Sequence, residues 1–151
     1  MQAHQQSASG AAQAIDREQL SSHIRTLISL EETETPIVSW YIEHDPERDS
    51  TSASFNRRVR ALRWVLRGQE LDQCEETFER VQRYLTNEVR PTTRGVAIFA
   101  RAGTRPFFLG LQLQVPVPGR LSVSSTPNVH HLVKLNDKSA DIVGTRAGAQ
   151  P

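Results

Sequence analysis

The sequence predicts an α+β domain: a four-stranded, mainly antiparallel sheet flanked by helices, in the order helix-strand-helix-helix-strand-strand-strand-helix. Three observations predict it. Four apolar stripes recur at the three-to-four-residue spacing of a helix. Four short segments read as strands, either by alternation or as brief apolar runs. Turn and stop signals separate them, at Asp45-Pro46, Gly68, Ala102-Gly103 and Thr126-Pro127. Strands two to four lie close in sequence and are expected to pair as an antiparallel meander.

Asp16 is placed to cap the first helix, with Leu20, Ile24, Leu27 and Ile28 on its apolar stripe and Pro36 ending the pattern. In Ile37 to Glu43, Val38, Trp40 and Ile42 share one face and Ile37, Ser39 and Tyr41 the other. Both faces are largely apolar, as in a central strand covered on both sides. Ser52 or Ser54 caps a second helix running to about Arg67, with Phe55, Val59, Leu62, Val65 and Leu66 as its stripe and Gly68 as its stop. A third helix, about Glu70 to Glu88, buries Leu71, Cys74, Phe78, Val81 and Leu85.

Val96 to Ala100 reads as a short buried strand and Ala102-Gly103 as a hairpin turn. Phe107, Leu109, Leu111 and Leu113 then alternate on one face. Pro116 and Pro118 mark an edge or a crossing loop before a last strand, Leu121 to Ser124. Thr126 caps a closing helix, with Pro127 at its first position and Val129, Leu132, Val133 and Leu135 as apolar residues. Residues 1–14 read as a disordered polar tail, 15–137 as one domain, and 138–151 as a frayed polar tail.

Composition narrows the function classes. The 18 Lys and Arg against 17 Asp and Glu leave a net charge of +1, which excludes nucleic-acid binding by bulk charge. The single cysteine, Cys74, excludes an internal disulfide and a cysteine-based zinc site. No apolar run approaches the roughly 20 residues that span a bilayer, and residues 1–14 lack the features of a signal peptide. A soluble cytoplasmic domain is expected, with no cofactor, no membrane or DNA partner and no small-molecule substrate.

The strongest candidate site is an arginine cluster: Arg57, Arg58, Arg60, Arg63 and Arg67. No acidic residue lies between Ser50 and Gly68, so positions 57, 60, 63 and 67 form a basic strip beside the apolar stripe. Guanidinium forks bind phosphate in a bidentate way and stack on exposed bases. The competing reading is internal neutralisation. Residues 70–88 hold six acids against Arg80 and Arg83, and the two helices can cancel one another.

Other groups are weaker. His130, His131 and Asp137 lack metal-ligand spacing, since adjacent helical histidines point apart. His44, Asp45 and Glu47 read as a solvated turn. Trp40, Tyr41 and Trp64 read as core rather than as stacking platforms. No phosphate-binding glycine loop, nucleophile elbow or His-Glu-x-x-His motif is present, so no enzymatic activity is expected.

An ordered set of blocks resembles the N-terminal domain of the eukaryotic and archaeal class-one peptide chain release factor family, and more closely its bacterial branch. The blocks are residues 36–42, Asn56-Arg57-Arg58-Val59-Arg60-Ala61-Leu62, residues 94–99, Val115-Pro116-Val117-Pro118-Gly119-Arg120, and residues 127–135. The resemblance implies a helix-flanked sheet that reaches the decoding centre of the small ribosomal subunit, hence ribosomal RNA as partner in termination, rescue or hibernation. The family's Asn-Ile-Lys-Ser signature aligns with Ser54-Phe55-Asn56-Arg57, without its lysine. The Gly-Gly-Gln tripeptide that family members use for peptide release is absent. The expectation is a ribosome-associating, RNA-contacting N-domain that does not hydrolyse peptidyl-tRNA, or a truncated paralogue of one. The alternative is a protein-interaction module that binds no RNA.

Overall fold

A strand that is apolar on both faces must be covered twice, and residues 37–43 are. The structure, a computed structural model, describes residues 15–44 and 51–138, and at positions 51–54 and 65 the backbone alone. Its elements are α1 (Arg17–Ile28), β1 (Ile37–Glu43), α2 (Thr51–Val65), α3 (Gly68–Asn87), β2 (Gly95–Arg101), β3 (Phe107–Leu113) and β4 (Arg120–Ser124). A final helix, α4, spans residues 130–138. The fold is α+β, with the predicted order of elements.

The sheet runs β3-β2-β1-β4, every neighbouring pair antiparallel. Trp40 lies opposite Ile98 on one side and Leu121 on the other. One face gathers Val38, Trp40, Ile42, Val96 and Ile98 under Phe55 and Val59 of α2 and Cys74, Phe78, Val81 and Leu85 of α3. The other gathers Ile37, Tyr41, Ala97, Phe99, Leu111 and Leu113 under Leu20, Ile24 and Leu27 of α1 and Leu132 of α4. This makes two cores separated by one sheet. At its centre the Trp40 indole stacks on the Phe55 ring, centroids 4.1 Å apart.

The expected meander of strands two to four does not form. β2 and β3 make the hairpin, with Gly103 at φ +99° in the turn, but β4 crosses the sheet and pairs with β1. A meander would leave β1, buried along nearly its whole length, at an edge with one row of backbone groups unpaired. Pairing β4 with β1 instead puts the two most deeply buried strands at the centre and the half-exposed β3 and β4 outside. The crossing is the segment with Pro116 and Pro118, and it buries Val117. Gly95 lies beneath it: a Cβ there would sit 2.5 Å from the Val115 carbonyl oxygen.

Several boundaries shift. Asp16 does cap α1: its carboxylate accepts from the Gln19 amide at 2.7 Å, and Gln19 returns the bond at 3.0 Å. Ile28, however, is two-thirds exposed, because it lies further round the helix at its last residue. α2 starts at Thr51, so Ser52 and Ser54 fall inside the helix rather than before it. Gly68 is not the stop of α2 but the first residue of α3, at φ +55° after a turn at Leu66 and Arg67. α4 begins at His130, not at Pro127, so Thr126 is not its cap; ahead of it the Asn128 side chain accepts from the His130 amide at 3.2 Å, an Asx turn that leads into the helix. The tail expected at 1–14, that expected at 138–151 apart from Lys138, which ends α4, and the turn residues Asp45 and Glu47 lie outside the described residues.

Candidate nucleic-acid interface

α2 carries the arginine cluster because its sequence is two-faced. Phe55, Val59 and Leu66 are buried and Leu62 is half-buried against the sheet and α3. All five arginines are exposed on the remaining surface. The structure divides them into three kinds.

Arg57 and Arg60 make no hydrogen bond or ion pair with any described residue, and both project to solvent. Arg58 reaches back to the Gly119 carbonyl oxygen at 3.4 Å, a long contact that leaves its charge largely open. Arg63 and Arg67 are engaged. The Arg63 guanidinium donates through Nε at 2.6 Å and Nη2 at 2.7 Å to the two carboxylate oxygens of Glu75 on α3. That fork holds the Glu75 carboxyl below the usual range and raises the Arg63 guanidinium above it. Arg67 Nη1 donates to the carbonyls of Trp64 at 2.7 Å and Leu66 at 3.2 Å, closing the end of α2. The single strip of Arg57, Arg60, Arg63 and Arg67 is therefore corrected. Residue 63 turns toward the acidic helix, and residue 67 lies beyond the last turn.

Trp64 is the residue that sequence reasoning misplaced. It is not core: it is 76% exposed. The signal was available, since Trp64 follows Arg57 by seven residues and Arg60 by four, which puts all three on one helix face opposite the apolar stripe. Composition concealed it, because an indole is ordinarily counted with the core. Beside this face a groove of about 470 Å³ separates α2 from α3. Phe55, Val59 and Phe78 line its floor, and Arg60, Glu79 and Arg83 stand at its rim.

The Asn-Ile-Lys-Ser-aligned tetrapeptide falls inside the first turns of α2. Phe55 there is core, while Asn56 and Arg57 face solvent. Trp40 and Tyr41 are fully buried, as expected. The Tyr41 hydroxyl donates to the Asn128 carbonyl, and burial raises its pKa. The His131 ring meets Tyr41 edge-on at 4.8 Å, and burial lowers its pKa, helped by the charges of His130, Arg120 and Lys134. Asp137 is exposed. Among the described residues no three His, Cys, Asp or Glu side chains converge as metal ligands, and no helix is long and apolar enough to cross a membrane.

The architecture defines a class by shape: a four-stranded antiparallel sheet between two pairs of helices. No protein-family model matches the chain, and no curated protein matches it. A solved structure described as an archaeal protein shares the fold, with a TM-score of 0.64 over 82% of this chain at 11% identity. The chain spans 36% of that neighbour's length.

Proposed function

We propose that the chain is a ribosome-associating, RNA-contacting domain, related to the N-domain of bacterial release-factor-like translation proteins, that does not itself hydrolyse peptidyl-tRNA. The observation that carries this is the pair Arg57 and Arg60, exposed and without partners among the described residues, on a helix whose residues 51–67 include no acid. Two permanently charged forks on a helix whose apolar face is packed against the sheet and α3 are placed for phosphate. The resemblance in residues 36–42, 56–62, 94–99, 115–120 and 127–135 supplies the ribosome as source of that phosphate and the cytoplasm as compartment.

The test is co-sedimentation with 70S ribosomes and isolated small subunits at low salt. The parent chain should pellet with small subunits, and the double variant Arg57→Gln/Arg60→Gln should stay in solution with an unchanged melt. Equal pelleting of both proteins would remove α2 from the contact. A release assay with the same ribosomes should show no peptidyl-tRNA hydrolysis above background. A second reading, a protein-interaction module, draws support from the Arg63–Glu75 fork, which neutralises part of the cluster within the chain. It predicts no pelleting with either subunit.

A further inference from the structure

We infer that the outward face of α2 takes single-stranded RNA, with one unpaired base stacked on the Trp64 indole and adjoining phosphates on Arg57 and Arg60. This rests on the RNA-contacting reading and gives it a ligand class. Arg57, Arg60 and Trp64 share one helix face, and residues 57 and 64 are about 10 Å apart along the axis. An indole 76% open to water is an unsatisfied apolar plane, and here it shares a face with two guanidinium groups that have no partner among the described residues. That pairing of flat apolar surface with fixed positive charge matches a ligand that is itself part aromatic plane, part anion.

Two further features favour this occupant. Residues 51–67 contribute no acid to the face and Glu75 is held by Arg63, which leaves Glu79 at the groove rim as the acid facing Arg60. The helix end bearing the indole is also fixed, because Arg67 ties the Trp64 and Leu66 carbonyls, so little backbone freedom remains to be lost on binding. The other exposed large apolar residues among those described, Ile28, Val115 and Val133, all lie off α2, so none of them extends the Trp64 surface into a larger apolar patch of the kind that marks a protein partner. A duplex hides its base faces and offers the indole nothing to stack on.

The test uses the full chain with labelled oligo(U) and oligo(A) strands of about twelve nucleotides, and an RNA duplex of the same length, over a salt series. The parent should bind single strands and prefer them to the duplex. Trp64→Ala should bind roughly 5- to 150-fold more weakly, with the same salt slope, because it removes a stack and no phosphate contact. Trp64→Phe should stay within a few-fold of the parent. RNA should quench the parent's tryptophan fluorescence and leave Trp64→Phe unaffected, since its remaining indole, Trp40, is buried. Coincident melts establish that both variants fold. Equal affinity of Trp64→Ala and parent overturns the stack. So does failure of the parent to bind any oligonucleotide; ribosome pelleting then separates the two claims, because pelleting retained leaves the RNA-contacting reading standing and pelleting lost removes both. Self-association abolished by Trp64→Ala, without oligonucleotide binding, assigns the indole to a second copy and overturns the proposal.

Discussion

Trp40 does most to hold the α2 side of the sheet. It is 1% exposed and stacked on Phe55, so truncation removes both its buried surface and the ring contact that seats α2. Trp40→Ala should cost about 3–5 kcal/mol, read as the difference in denaturant unfolding free energy. A melt coincident with the parent's would mean that α2 is held elsewhere. On the opposite face, His131 and His23 are both shifted to lower pKa, in each case chiefly by burial. The sign follows from the unfolded chain, where histidine protonates near about pH 6.5. As pH falls below that value, the unfolded state takes up protons before the folded one does, so stability declines. The melting temperature should fall between about pH 7 and about pH 5, and His131→Gln should lessen that fall. A His131→Gln profile parallel to the parent's would assign the loss to other groups.

At the scale of elements, the crossing between β3 and β4 decides the topology, and its fit over Gly95 is the sensitive point. A methyl at position 95 meets the backbone oxygen of Val115 at 2.5 Å, which no side-chain rotation can relieve. Gly95→Ala should therefore cost about 1–3 kcal/mol by forcing the crossing outward, with Val117 more exposed to solvent. Hydrogen exchange at residues 114–119 and a melt would report it; parent-like values in both would show that the crossing is loosely seated. The crossing was only partly legible in the sequence. Pro116 and Pro118 announced a break, but short sequence separation argued for a meander. What settles the pairing is a non-local demand, a partner on each edge of the buried β1, that no local pattern around residues 114–124 records. The start of α1, by contrast, was legible to the residue, because the Asp16 cap and the Leu20-Ile24-Leu27 stripe are local signals; its end was not, since the helix stops at Ile28, well short of Pro36. Gly68 was legible as a break but not in role: its φ of +55° suits the end of one helix or the start of the next.

At the scale of the whole molecule, a net charge of +1 means that any affinity for RNA comes from how charge is placed, not from its total. The sequence located the arginines but not their states, because whether Arg63 is free or forked depends on where Glu75 of another helix comes to rest. Arg57 and Arg60, with the loosely held Arg58, leave about two to three phosphate contacts, hence a log–log salt slope of about −1.4 to −2.1 on single-stranded RNA. A free strip of four arginines would give about −2.8. Arg57→Gln/Arg60→Gln should flatten the slope by about 1.4, with an unchanged melt. Arg63→Gln should do the reverse: it leaves the slope in place and lowers the melt slightly, since an exposed pair contributes at most about 1 kcal/mol. Filter binding and thermal melts on these three proteins separate a charge used outward from one used inward. If Arg63→Gln flattens the slope by about 0.7, half as far as the double variant, the Glu75 fork opens on binding, and the phosphate-contacting surface extends across the groove toward α3.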